Sequence, residues 1–356
     1  MATRSEFGES WEEVVANWYL GVSPPIPGHV AWEALAALER LCPGRLDRIL
    51  RGSAKGILTM AGVIDTGLIL LSCEDLPGFR KIVARINRES ESRAALSEAT
   101  VLASLLRAGY QPLIEPVIEG KSPDGMVIVG DVPVYFETVT PDLSEENERA
   151  RSDASRLLNE LHEITSGRSV RLIVDVEPDP RPGYRSRIVE FARQLVDAPG
   201  EAVYELPGDG TLQVAPDHGS SLNPKFLEMA DLSWPSEMAQ VVIVRHQESD
   251  ERTHRLLQSE AKHFSPAESN ILVINASAIS GLESGWQQLV ERWFQPGRNR
   301  RIGAVVMFWS GIEDKTVRRR WSIIRNPYSH RGIPAVLFDD LLQLNDLDFI
   351  YAKSSV

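Results

Sequence analysis

The chain has 356 residues, enough for two domains or for one core with a large elaboration. Its 43% hydrophobic and 25% charged residues are those of an ordinary globular protein, and two cysteines, Cys42 and Cys73, are too few for a disulfide framework and fit a reducing cytosol. A net charge of -12 argues against indiscriminate binding to phosphate backbones, which rests on basic surface.

Along the chain, the first segment, MATRSEFGESWEEVV, has no apolar core and no cleavage signature, so no signal peptide is expected and a cytoplasmic location is. Helical patterns follow in WEEVVANWYL and in HVAWEALAALERL, separated by SPPIPG, whose prolines stop a helix. The most apolar window, Gly56 to Ser72, is too short to span a bilayer and contains Asp65, which predicts a buried helix and no membrane contact. Further helices are expected over Pro77 to Asn87 and Glu91 to Ala108, the second with a broad apolar face and Gly109 as its C-terminal cap. Residues 1–88 therefore read as a helical N-terminal region, and residues 89–356 as the main body, with a subdivision placed near 141–170.

Strands are predicted at Gln111 to Ile118, Gly125 to Val129 and Pro133 to Val139, the last two joined by the hairpin signal Gly130-Asp131. After an acidic and then amphipathic stretch to Thr165, VRLIVDV reads as a buried strand and YRSRIVEFARQLV as a helix. Short strands follow at 202–206 and 211–215, whereas His218 to Glu237 carries mixed signals. Strand and helix then alternate through QVVIVR, Arg252 to His263, NILVIN, Leu282 to Phe294 and IGAVVMFW. Strands alternating with helices of this length predict an α/β fold with a mixed central sheet flanked by helices.

Three carboxylates in about forty-five residues carry the chemistry. Glu98 lies on the helix of 91–108, Asp124 follows Pro123 at the start of one strand, and Glu137 ends the next. A hairpin brings Asp124 and Glu137 side by side although they are 13 residues apart, and a helix packed alongside would add Glu98. Oxygen donors of this kind suit a hard divalent cation, Mg²⁺ or Mn²⁺. Each acid also has a plain reading: Pro-Asp-Gly is a turn sequence, Glu137 fits the solvent side of an alternating strand, and Glu98 fits the exposed side of its helix.

The order Glu98, Pro123-Asp124, Glu137 resembles the PD-(D/E)xK nuclease superfamily, over residues 90–140. The resemblance implies a restriction-endonuclease-like core and divalent-metal-dependent hydrolysis of phosphodiester bonds in nucleic acid, with Asp124 and Glu137 as metal ligands assisted by Glu98. It fails two residues after Glu137, where the family keeps a lysine and this chain has Val139. Lys121, just before Pro123-Asp124, and Lys262, in a helix that related folds place near the site, are the candidate substitutes; Gln194 and Gln258 are weaker ones. Without one of them the fold would serve as an inactive module binding nucleic acid or protein.

Other constellations give less. His246, His254 and His263 are spaced by 8 and 9, which matches no zinc motif, and no phosphate-binding glycine loop or nucleophile elbow occurs. From Arg292 to Arg331 ten basic residues stand against Glu313 and Asp314. Arg318, Arg319, Arg320 and Arg325, interleaved with Trp321 and Tyr328, read either as a nucleic-acid contact or as a solvated face whose WSII segment packs inward.

Overall fold

The structure, a computed structural model, describes residues 28–43, 57–88, 90–141, 170–177, 180–196, 202–216, 240–244, 250–277, 283–313 and 316–346, together with most of 153–165. The expected helix of residues 11–20 and the mixed segment 218–237 lie outside them. The chain divides into two compact units, one built from Met1–Pro141, Asp250–Ser277 and Gln287–Val356 and the other from Asp142–Ser249 and Ala278–Trp286.

Among the described residues, the first unit holds four helices ahead of its sheet: α1 (Gly28–Leu41), α2 (Ile57–Cys73), α3 (Phe79–Ile86) and α4 (Ser92–Arg107). Strands β1 (Leu113–Ile114), β2 (Gly125–Val129) and β3 (Val132–Val139) form an antiparallel meander. Parallel strand β8 (Ser269–Asn275) joins β3, β9 (Ala304–Glu313) joins β8 in parallel, and β10 (Thr316–Arg325) closes the far edge antiparallel to β9. The result is a mixed six-stranded sheet in the order β1-β2-β3-β8-β9-β10, flanked by helices. Two elements differ from their sequence patterns. The strand expected over 111–118 is only two residues long, because Glu115 and Glu119 take positive φ and turn the chain away from the ladder. The basic segment after IGAVVMFW, to which the sequence assigns no element, contains a ten-residue strand.

Period-two alternation assigns the two sheet faces. Val127, Val129, Val134, Phe136, Ile271, Val273, Val306 and Phe308 point to one side and share a single buried cluster with residues of α1 to α4. The described N-terminal helices thus share one core with the sheet, and the division between the two units falls after Pro141. Glu137, Val139, Leu272, Ile274, Val305 and Met307 alternate to the other face and are also buried.

The second unit has its own four-stranded sheet, order β5-β6-β4-β7, from β4 (Val170–Val176), β5 (Ala202–Leu206), β6 (Gly210–Pro216) and β7 (Gln240–Val244). Helix α5 (Tyr184–Val196) buries Ile188, Val189, Ala192 and Val196 on one side of it, against Leu172, Val174 and Leu212. The chain then re-enters the first unit through α6 (Asp250–Glu260), which ends in a 3₁₀ turn at Ala261–His263, and passes again between the units within α7 (Glu283–Trp293). Helix α8 (Ala335–Gln343) follows β10.

One charged pair is built into the first core. Val317, Arg319 and Trp321 of β10 lie on the face turned to the cluster, and Arg319 donates Nη1 and Nη2 to the two oxygens of Asp65 in α2, at 2.8 and 2.5 Å. Both residues are buried, so removing one partner leaves a desolvated charge behind. Asp65→Ala is expected to lower stability by about 3–5 kcal/mol, and Asp65→Leu with Arg319→Met to recover most of that loss, both measured by urea unfolding.

Candidate functional site

The β2–β3 hairpin places two of the three carboxylates. Its loop is Gly130-Asp131, and Gly130 adopts φ 62°, as a two-residue hairpin loop with glycine first requires. The register this sets pairs Gly125 with Phe136, so Asp124 lies across from Glu137. Gly125 is needed for close approach: a Cβ there would sit 2.2 Å from Cζ of Phe136. Two backbone amides lock the pair, since Asp124 N–H donates to Glu137 Oε2 at 3.2 Å and Thr138 N–H donates to Asp124 Oδ2 at 2.7 Å.

Glu98 comes from α4, which packs on the Phe136 face of the sheet. Its carboxylate is held by Arg85 of α3 through two parallel bonds, Nη1 to Oε2 at 2.8 Å and Nη2 to Oε1 at 2.6 Å. Glu137 alternates to the opposite face, so the strand's pleat separates the two glutamates, and Asp124 is the acid that feels both. Burial is the main cause that raises Asp124 well above the ordinary carboxyl value. The charges of Glu98 and Glu137 push it further, against weaker opposition from the Thr138 amide and Arg85. Burial also raises Glu98, countered by Arg85, and raises Glu137, countered by His263 and the Asp124 amide.

Beyond Glu137 the structure brings in two residues that the sequence motif does not contain. His263 Nδ1 lies 2.8 Å from Glu137 Oε1 and 3.5 Å from Glu260 Oε2. One donor atom from each of Glu137, Glu260 and His263 lies within 4.8 Å of the others, while Asp124 and Glu98 are not part of that set. The only local signal for it is Glu260 and His263, three apart at a helix end, which recur on one side of a turn.

The candidate lysines are placed elsewhere. Lys121 Nζ donates to the carbonyl oxygens of Phe264 at 2.7 Å and Lys262 at 3.0 Å, and thereby grips the chain on either side of His263. The Lys262 side chain is exposed, as are Gln258 and Gln194, and Gln194 lies on α5 in the second unit. Val139 shares Glu137's face and is buried. Among the basic candidates, Arg319 is the buried partner of Asp65 and presents no charge to a ligand. Arg325 lies over the Phe338 ring at 4.8 Å, Arg320 is exposed and Arg318 is half-buried. Trp321 is buried against Phe308 and offers no stacking platform, whereas Tyr328 is exposed. A groove of about 530 Å³ between α1 and α3, lined by Arg40, Glu74, Phe79, Arg80 and Val83, includes none of these acids.

No protein-family model, no curated protein and no solved structure matches the chain. No helix among the described residues is long and apolar enough to cross a membrane.

The raised Asp124 carboxyl fixes the sign of a pH effect. A carboxyl whose pKa is higher folded than unfolded favours folding while it is protonated, and that contribution is lost as pH rises from the ordinary carboxyl range through the folded value. Asp124→Asn, whose amide oxygen still accepts the Thr138 N–H, is therefore expected to raise the melting temperature of the metal-free protein at neutral pH. It should bring no gain below pH about 3, where Asp124 is protonated in both states. Thermal unfolding across this range checks it.

Proposed function

We propose that the first unit is a divalent-metal-dependent phosphodiesterase acting on nucleic acid, with a restriction-endonuclease-like core. The observation that carries this reading is the cross-strand pair Asp124–Glu137, locked by reciprocal main-chain bonds at the end of the meander, with an acid-bearing helix packed on the neighbouring face. Helix α4 precedes the β2–β3 hairpin in the chain, and the 3₁₀ turn that ends α6 brings His263 against Glu137.

The donor set fits a cation. Asp124 and Glu137 are desolvated carboxylates, Asp124 being raised further by the Glu137 charge, and among the described residues no Lys or Arg side chain forms an ion pair with either. Bound there, Mg²⁺ or Mn²⁺ would supply charge stabilisation at the scissile phosphate and a water of lowered pKa. The chain's own part is positioning. The Asp124 amide fixes Glu137 Oε2 and the Thr138 amide fixes Asp124 Oδ2, which holds two oxygens in one geometry before a ligand arrives. Glu98, with both oxygens on Arg85, acts as a fixed charge behind Asp124 rather than as a ligand.

A second reading, an inactive fold that binds nucleic acid or protein, is favoured by one observation. Val139 is buried where the motif lysine would stand, and Lys121 is turned to the Lys262 and Phe264 carbonyls. Cleavage of labelled single- and double-stranded DNA and RNA, with Mg²⁺ and with Mn²⁺, separates the two. Activity that falls at least about 100-fold in Asp124→Ala and in Glu137→Ala supports the hydrolase. Nucleic-acid binding without cleavage, unchanged in Asp124→Ala and weakened by Arg320→Ala, supports the inactive module.

A further inference from the structure

The return of the chain through α6 adds a nitrogen donor to the strand-end acids. His263 stands at the last position of the 3₁₀ turn with its side chain 54% exposed, its Nδ1 directed at Glu137 and Glu260. Three contacts hold this turn: Lys121 Nζ on the carbonyls of Lys262 and Phe264, and Arg301 Nη1 on the carbonyl of Ala261 at 3.3 Å. The imidazole is thus carried on a backbone tied down on both sides, with an open flank for an ion and its water.

We infer that Glu137, Glu260 and His263 form a mixed carboxylate–imidazole site for a divalent transition-metal cation, Zn²⁺ or Mn²⁺, in preference to Mg²⁺. The inference deepens the reading above and rests on it for the presence of a cation at the strand end. Three arguments support it. The three donor atoms lie within 4.8 Å of one another, a spread that one ion spans with small side-chain adjustments. Two carboxylates and a neutral imidazole bring two negative charges, which balance a divalent cation, and among the described residues neither Glu137 nor Glu260 has a Lys or Arg partner to do so instead. Imidazole nitrogen suits Zn²⁺ and related ions, whereas Mg²⁺ demands a near-octahedral shell of oxygens and keeps its waters. Lys121, the candidate stand-in for the motif lysine, becomes a positioning residue for the His263 turn.

Calorimetric titration of Zn²⁺, Mn²⁺ and Mg²⁺ into the full chain, and into His263→Ala and Glu260→Gln, tests this. The wild-type protein should bind Zn²⁺ tightest and Mg²⁺ weakest. His263→Ala should weaken Zn²⁺ by at least about tenfold and leave Mg²⁺ unchanged. Pulsed electron paramagnetic resonance of bound Mn²⁺ should show a nitrogen coupling that His263→Ala abolishes, and Zn²⁺ should raise the melting temperature of the wild type only. Circular dichroism reports whether each variant folds, and Glu260→Gln carries the test if His263→Ala does not. Equal Zn²⁺ affinity in wild type and variants, or Mg²⁺ binding tighter than Zn²⁺, overturns the inference while a Mg²⁺-dependent cleavage would stand. His263-dependent Zn²⁺ binding in a protein that cleaves nothing upholds the inference and removes the hydrolase. A wild-type protein that binds none of the three ions overturns both.

Discussion

A two-residue loop governs the geometry of this protein's candidate site. Gly130-Asp131 closes the β2–β3 hairpin in one register, and that register alone sets Asp124 opposite Glu137. A one-residue slip would turn every side chain of β3 to the other face, exchanging Phe136 for Glu137 in the core cluster. The apolar cost of such a slip is far larger than anything the carboxylates contribute, so burial of Val134 and Phe136 is what holds the acids in place. The reciprocal amide bonds between Asp124 and the Glu137–Thr138 segment then refine a placement already made by packing.

The same pleat that orders the hairpin divides the acids. α4 covers one face and delivers Glu98 there, with Arg85 neutralising it; Glu137 faces the other way, toward the end of α6. Asp124, at the strand's start, lies between them and takes the electrostatic consequences, with a carboxyl raised by burial and by two neighbouring charges. The arrangement is therefore less a three-way convergence than a line of acids crossing the sheet edge. At one end the charge is compensated internally by an arginine. At the other, an imidazole and a second carboxylate wait on a tied turn.

Charges that look alike along the chain have unlike fates for a simple reason. On β10 consecutive arginines alternate faces, so Arg319 enters the core and requires Asp65, while Arg320 meets solvent. Lys121 is taken up by the backbone carbonyls of Lys262 and Phe264, to which its ammonium donates on either side of His263. Counting basic residues in a segment therefore overstates the cationic surface offered to a ligand.

Local patterns in the sequence were sufficient for the elements whose periodicity is strong. β2, β4 and α5 lie where their alternation or helical stripe places them, the apolar window containing Asp65 is a buried helix, and the Gly-Asp turn signal gives the hairpin with Asp124 and Glu137 face to face. They were legible because period and turn chemistry are properties of neighbouring residues. What the linear chain does not contain is which distant groups meet. Arg85 on Glu98, Asp65 on Arg319, Lys121 on the carbonyls beside His263, and His263 on Glu137 join residues 13, 254, 141 to 143 and 126 positions apart. Those pairings follow from how helices pack on the sheet and from where the chain re-enters it after the second unit. Tertiary packing alone decided them, because no local propensity encodes a contact between faces formed so far apart in sequence.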